Sequence, residues 1–367
     1  MTNTGLFKNA QKAKDETQNA AENQAKTLNE YEDELNKYIS GNIEEKKDPI
    51  KEVSNKVLST TDNTELQDAY GNKIVVPAGF KIVSNDDTSK ATTVDRGIVI
   101  EDATVDSNGK ATPTNGSQFV WIPVGKIYTD TSKTESSAKT IELNRYTFDE
   151  NGNPTPQGEN VITENNVNYQ ELEISNKGNT VAKSLPNFKE SVGTNGGYYI
   201  GRYEARTTKA RTTKGDTLTQ ITEKGTDLVY NFVTQLQAAS QVQNMYNSNK
   251  FTSDLMNSYA WDTATLFLQK CGTNATYSRK KSINSLLLQT GTNIQSTKDV
   301  ECNVYDMASN IREWTTETLD YSNYPCVVYR GGYYNNSGNY TSFRSSDGSI
   351  SYSGVDIGFR ALLYINV

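Results

Sequence analysis

The residues with the most to offer chemically lie near the C-terminus. Between residues 321 and 353 the chain turns to tyrosine, asparagine, serine and glycine, with no lysine: Tyr321, Asn323, Tyr324, Tyr329, Tyr333, Tyr334, Asn335, Asn336, Asn339, Tyr340, Ser342, Ser345, Ser346, Asp347 and Tyr352. Tyrosine supplies large, rigid, amphipathic area at small entropic cost, and Ser, Gly and Asn supply adaptable hydrogen bonds, the mixture that antigen-combining loops use. Tyrosine is also favoured at the centres of interfaces. Side chains of these types suit the holding of a ligand, and a polar, Asn/Ser-rich loop region of a sheet protein is the alternative reading. The sequence has no histidine, which removes Ser-His-Asp and Cys-His nucleophiles, histidine-ligated zinc and any imidazole proton shuttle. Its three cysteines, Cys271, Cys302 and Cys326, are too few and too scattered for a disulfide framework or a Cys-x-x-Cys metal site. One bridge with a free thiol and isolated buried thiols are both open readings.

A chain of 367 residues is long enough for one large domain or two smaller ones with a real core. With 37 basic and 44 acidic side chains it carries −7. That balance argues against a binder of phosphate backbones, which needs a cationic surface, so no nucleic-acid partner is expected. Only 34% of residues are hydrophobic, mean hydropathy is −0.70, and no run approaches the roughly 18 apolar residues of a membrane span. Leu6 to about Tyr38 reads as one helix of Ala, Lys, Glu, Gln and Asn, without proline, carrying a thin heptad-like stripe that includes Leu28, Tyr31, Leu35 and Tyr38. Such a stripe buries too little to hold a long helix alone, so the helix needs a partner or frays. Ser40-Gly41 and the charged stretch before Pro49 read as its stop and a linker.

Beyond Leu66 short strand-like runs alternate with Gly, Asn, Asp and Ser: Lys73 to Val76, Phe80 to Val83, Gly97 to Ile100, Phe119 to Val124 and Tyr198 to Tyr203. Two later stretches, Phe232 to Tyr246 and Ser253 to Gln269, carry helical periodicity, and Asp130 to Thr180 reads as long loops or an insertion. The pattern predicts an α+β fold with a helical stalk at residues 1–46 and one main domain at 65–367.

Three motifs narrow this further. Val304-Tyr-Asp-Met-Ala-Ser-Asn310-Ile-Arg-Glu-Trp314 is followed by Tyr329-Arg-Gly-Gly332 and then Gly358-Phe-Arg360. In this order and spacing they resemble the family of formylglycine-generating sulfatase-modifying factors, and the resemblance implies a C-type-lectin-like fold. Gly79-Phe80, Phe119-Val-Trp-Ile-Pro123, Tyr199-Ile-Gly-Arg-Tyr-Glu204 and Ala260-Trp261-Asp262 agree with the family's earlier parts. Most of the motif residues read as structural. Gly331 and Gly332 permit close backbone approach, Trp314 fills a core while its indole N–H finds one partner, and Arg330 and Arg360 each fix loops with several donors. The resemblance puts Glu313 where enzyme relatives help hold calcium; a structural calcium there and an ordinary loop-anchoring carboxylate are both open.

The chain departs from the enzymes of that family in one respect that matters. They use a pair of cysteines, one just after Gly-Phe-Arg, whereas here Arg360 runs into Ala361-Leu362-Leu363, and Cys302 and Cys326 stand at the wrong places. A copper-bound thiolate pair has no visible ligands, so no enzyme activity, catalytic residue, metal ligand or required cofactor is expected. The Tyr/Asn/Ser stretch, placed between Arg-Gly-Gly and Gly-Phe-Arg, resembles instead the variable region of retroelement-diversified proteins, and implies a variable segment at 321–356. The opening Thr4-Gly-Leu-Phe-Lys-Asn-Ala-Gln-Lys-Ala13 is similar to the part of pilin-like proteins that follows their apolar N-terminal helix. That similarity implies an anchor lost before Thr2, display outside the cell and assembly through the helix. The expected function is therefore a surface-displayed receptor or adhesin for a protein or glycan ligand on another cell or phage. The alternatives are a pilus-like structural subunit and a formylglycine-generating-type oxidase lacking its usual cysteines.

Overall fold

A computed structural model describes residues 4–39, 48–83, 91–105, 111–171, 183–282, 299–319, 326–335, 338–347 and 351–367. The chain forms two compact units, Met1–Lys47 and Asp48–Val367. The first is helix α1, Thr4–Ile39, 36 residues long, or about 54 Å at 1.5 Å per residue. Leu28, Tyr31 and Leu35 are exposed on it. Among the described residues no helix is long and apolar enough to cross a membrane.

The second unit starts earlier than residue 65. Asp48 caps the short helix α2 (Pro49–Val53), accepting from the Ile50 and Lys51 amides, and Ile50 is fully buried. The strands of the two large sheets, in chain order, are β1 (Phe80–Ile82), β2 (Val99–Val105), β3 (Ala111–Pro123), β4 (Ile162–Glu164), β5 (Val167–Gln170), β6 (Gly197–Gly201), β7 (Phe251–Leu255), β8 (Arg312–Leu319), β9 (Cys326–Arg330), β10 (Arg344–Asp347), β11 (Ile357–Phe359) and β12 (Ala361–Ile365). One sheet runs β7-β12-β6-β3-β2-β1, antiparallel throughout. The other runs β4-β5-β8-β9-β10, with β11 parallel to β8. Because β11 and β12 flank Arg360, the last few residues stitch both sheets together.

Three helices complete the unit: α3 (Leu185–Asn195), α4 (Gln235–Gln243) and α5 (Ser258–Cys271). Each starts on a side-chain cap that satisfies an orphan amide: Ser184, Thr234 in a capping box with Gln237, and Asn257. Residues 258–268 of α5 are buried on every side. Trp121, Trp261 and Trp314 lie wholly inside the core.

The structure corrects three expectations. The helix expected from Ser253 begins only at Ser258, because Phe251–Leu255 is strand β7 paired along β12. The helix expected from Phe232 is shorter; Phe232 has φ +50 and its amide donates to Gly354 O, outside any helix. Residues 130–171 include the second strand of the hairpin 125–128/138–141 and the hairpins 146–148/154–156 and β4/β5 rather than loops alone, and 172–180 lie outside the described residues. One of these hairpins turns at Asp149-Glu-Asn-Gly-Asn153. There Asp149 accepts from the Asn151 and Asn153 amides and Gly152 takes φ +79, as Asp68 and Gly71 do in Asp68-Ala-Tyr-Gly-Asn72.

Candidate functional site

The segment of interest leaves β9 at Arg330 and re-enters β10 at Arg344, and these two arginines are direct cross-strand partners. Both are buried, and both close on the same acids. Arg330 Nη1 donates to Glu317 Oε2 at 3.2 Å and its Nη2 to Asp262. Arg344 Nε donates to Glu317 Oε1 at 3.1 Å, its Nη2 to Asp262, and its Nη1 to Glu164 Oε1 at 3.0 Å. Arg145 adds a third guanidinium, 3.0 Å from Glu317 Oε1. Burial alone would raise the Glu317 pKa, but Arg344, Arg330 and Arg145 outweigh it and hold the carboxyl at about 2. The two ends of the segment are thus fixed by one buried ion network rooted in α5 and β8.

Between those ends the frame grips the main chain. Gly331 has φ +78, and a Cβ there would lie 2.6 Å from Met307 O, so no side chain fits. The Tyr334 amide donates to Asn310 O at 2.9 Å, and Ser282 Oγ donates to Tyr333 O at 2.6 Å. The Ser282 amide donates to Asn339 O at 2.9 Å, and Trp261 Nε1 donates to Thr341 O at 3.0 Å. The Thr341 and Ser342 amides donate to Lys280 O and Ser278 O at 3.2 and 3.0 Å. The later part of the stretch is held in the same manner. Asn231 Nδ2 donates to Val355 O at 3.0 Å and Lys214 Nζ to Ser351 O at 3.2 Å, on a loop that the buried Arg211 fastens through carbonyls of residues 213, 216, 217, 231 and 232.

The side chains form a surface patch. Tyr333 and Tyr334 are half-buried and meet edge to face, centroids 6.0 Å apart, and Asn335 is exposed. The Arg312 guanidinium lies over the Tyr329 ring at 4.2 Å and the Tyr333 ring at 4.6 Å. Its charge is matched by Asp356, and it also donates to Tyr352 Oη at 3.4 Å. Tyr352 in turn packs on Trp314 at 6.2 Å. Ser345 Oγ donates to Tyr329 Oη at 3.0 Å. Tyr340 sits against Phe343, with Arg279 3.7 Å over its ring. Burial, reinforced by Asp356, raises the Tyr334 and Tyr352 pKa values, so both phenols stay protonated and able to donate.

Of the residues expected to contact a ligand, Tyr333, Tyr334, Asn335, Tyr340, Ser345, Ser346 and Tyr352 are exposed or half-buried. Asn339 and Ser342 are buried instead, as parts of the frame; composition alone does not tell which side of a chain faces inward. Asp347 ends β10. Tyr321, Asn323, Tyr324 and Asn336 lie outside the described residues. The patch also includes Arg312, Asp356 and Arg279, which the Tyr/Asn/Ser composition did not single out.

A calcium ion does not fit at Glu313. Both of its oxygens face the Arg360 guanidinium, Oε2 at 3.1 Å from Nε and Oε1 at 2.7 Å from Nη2, so a cation already fills that position. Arg360 spends its other donors on Gly201 O and Tyr305 O, each at 2.8 Å, as a loop-fixing arginine does. Among the described residues no group of three His, Cys, Asp or Glu is arranged to hold a metal. Burial raises the Cys271 pKa to about 12 and the Cys302 pKa well above the ordinary thiol value, so both remain thiols.

With this geometry in place, comparison with known proteins bears on the last third of the chain. Residues 236–365 match the sulfatase-modifying factor enzyme 1-like domain. That match runs from α4 to β12 and takes in all three motifs, the tyrosine patch and four members of the buried ion network (Asp262, Glu317, Arg330 and Arg344), with Arg145 and Glu164 outside it, so the resemblance carried by the motifs holds over this stretch. The mixed α/β architecture agrees with the expected C-type-lectin-like class. No curated protein matches. Similar solved structures include the following two. CarF is 20% identical with a TM-score of 0.25, over 32% of this chain, and the chain spans about half (49%) of CarF. Treponema denticola variable protein 1 is 13% identical with a TM-score of 0.37, over 68% of this chain and 97% of that one.

Proposed function

We propose that the protein is a binding module in which a sulfatase-modifying-factor-like domain presents a Tyr/Asn/Ser surface to a protein or glycan ligand on another cell or phage. One observation carries the reading: residues 331–335 and 338–343 are held by glycine contacts, main-chain hydrogen bonds and buried arginines, while Tyr333, Tyr334, Asn335 and Tyr340 are left half-buried or exposed. A frame that does not depend on these side chains tolerates their replacement. The proposal therefore includes diversification of residues 321–356, because adenine-directed change moves asparagine codons toward Tyr, Ser, Asp, Thr and Gly. It also includes display outside the cell through the N-terminal helix, whose exposed Leu28, Tyr31 and Leu35 offer an assembly face. A non-catalytic role is supported by the absence of histidine, by Ala361 where the enzymes have cysteine, and by two thiols that burial keeps protonated.

The test is the combined replacement of Tyr333, Tyr334 and Tyr340 by alanine, read on a glycan and surface-protein array and by thermal melting. The expected outcome is loss of the signals given by the wild-type protein, with Tm within a few degrees of it. A triple variant that unfolds would assign these tyrosines to the core. Encoding DNA with no imperfect repeat differing at adenines would remove the diversification part alone.

A further inference from the structure

The cysteines are the cluster of reactive groups that the binding reading leaves unused, and two of them converge. Helix α5 ends at Cys271, and the turn of the hairpin Val300–Glu301/Val304–Tyr305 carries Cys302 at φ +43. The two chain ends touch next to the thiols. Glu301 accepts from the Thr273 amide at 2.6 Å and from Thr273 Oγ1 at 3.0 Å, and a Cβ on Gly272 would lie 2.4 Å from Glu301 Oε2. A third segment meets both. Cys302 Sγ donates to Asp95 O at 3.5 Å, and a Cβ on Gly97 would lie 3.1 Å from Cys302 Cβ. After burial, Asp95 is also the largest charge influence on the Cys271 thiol. Both side chains are unbridged, only partly buried and packed on the margin of the same apolar cluster.

We propose that Cys271 and Cys302 are a latent disulfide pair, closed by exchange with a low-molecular-weight disulfide to clasp the end of α5 to the hairpin turn. After burial, the Cys271 thiol is the largest influence on the Cys302 pKa, which sets the two groups within electrostatic reach of each other. In the exchange Cys271 attacks first. Its thiolate displaces one glutathione thiolate from glutathione disulfide, leaving a mixed disulfide. The Cys302 thiolate then displaces the second glutathione thiolate. Two protein thiols are oxidised to one disulfide, one glutathione disulfide is reduced to two glutathione thiols, and the two protons lost by the protein thiols end on the two displaced glutathione thiolates. The raised pKa values make the exchange slow at neutral pH and faster as the solution becomes alkaline. The clasp spans the chain that contains Lys280 and Ser282, whose main-chain and hydroxyl groups hold Thr341, Asn339 and Tyr333, so closure braces the floor of the tyrosine patch. This inference stands independently of what the patch binds.

The experiment incubates the full chain with glutathione disulfide at about pH 8.5, both as native protein and during refolding, and reads intact mass, peptide maps and melting. The expected result is a loss of two hydrogens per chain in at least one arm, a linked pair of peptides containing Cys271 and Cys302, and a Tm higher by several degrees that dithiothreitol reverses. Cys271→Ser and Cys302→Ser should each abolish the loss, and Cys326→Ser should leave it. Glutathione adducts without a link, a link through Cys326, or unmodified thiols in both arms would overturn the pairing.

Discussion

Replacing Glu317 with glutamine removes the charge on which three buried arginines converge, and the structure fixes both the size and the pH dependence of the effect. Glu317 is fully buried and is held from its ordinary 4.5 down to about 2, because Arg344, Arg330 and Arg145 overcome the cost of its burial. A carboxyl depressed in the folded state contributes stability that is present above its unfolded pKa and is lost as pH falls through the folded one. A shift of that size is worth about 3 kcal/mol at 1.36 kcal/mol per unit. At pH 7 the variant also leaves Arg330 and Arg344 with Asp262 as their main counter-charge, and breaking a buried network from one side costs about 3–5 kcal/mol. The two figures describe the same interaction and are not added. Urea unfolding followed by the fluorescence of the buried Trp121, Trp261 and Trp314 measures it. The wild type should be more stable than Glu317→Gln by about 3 kcal/mol or more between pH 6 and 8. That gap should narrow steadily below about pH 4.5, because only the wild type loses this contribution on acidification. Taking the difference cancels the carboxylates that titrate in both proteins. A gap independent of pH from 7 to 3, or a variant as stable as the wild type at pH 7, would refute the account of the network.

The remaining expectations concern other parts of the frame. Gly331→Ala should cost more than about 2 kcal/mol, since its φ is +78 and the new Cβ would lie 2.6 Å from Met307 O, whereas Gly125→Ala, at φ +110 with open space around it, should cost about 1 kcal/mol by the same unfolding assay. Trp261→Phe strands the buried Thr341 carbonyl and leaves a small void, so a loss of about 2–4 kcal/mol is expected, with faster hydrogen exchange at the Ser342 amide. Burial raises Glu171 to about 7, against its bonds from Thr316 and Ser258. The wild type therefore loses stability as pH rises from about 4.5 to 7, and Glu171→Gln should gain on it by up to about 2 kcal/mol between pH 5 and 8; melting the pair at both pH values checks the sign.

What could be read from the sequence divides along a physical line. Local chemistry was legible. The β-branched and aromatic run Phe119 to Val124 lies largely in β3, Tyr198 to Gly201 lies in β6, and Trp314 fills the core with its indole N–H on Val233 O at 2.8 Å. Arg330 and Arg360 fix loops through several donors each, as expected of them. Short apolar stretches were less decisive. Phe251 to Leu255 shows no period that separates a doubly buried strand from a helix turn, and only the Asn257 cap marks where α5 starts. Helix α3 did carry a signal, Ser184 followed by Pro186 and ended by Gly196, but its length is modest and its neighbours are polar. The pairings of Arg330 and Arg344 were not legible, because Asp262 and Glu164 lie far away along the chain and meet them only through the fold, as Arg145 meets Glu317. The same holds for Arg312, whose place between two tyrosine rings depends on β8 and β9 being neighbours.

The path from core to surface shows how such a patch would keep its shape when its outermost residues are replaced. Trp314 is fully buried, Tyr329 packs edge to face on it at 5.7 Å and is nearly buried, Arg312 lies on Tyr329, and Tyr333 lies on Arg312. Each step outward replaces packing with a weaker and more forgiving contact. The innermost is a close-packed ring pair, the middle a guanidinium neutralised by Asp356, and the outermost a cation over one face of a ring, worth about 0.5–2 kcal/mol. Removing the last member forfeits only that final contact. Removing an inner one opens a cavity and leaves a charge without its partners. Tolerance to substitution should therefore rise in the order Trp314, Tyr329, Arg312, Tyr333, the order in which these groups approach solvent. A binding surface built this way gains its rigidity from below and can take its specificity from above.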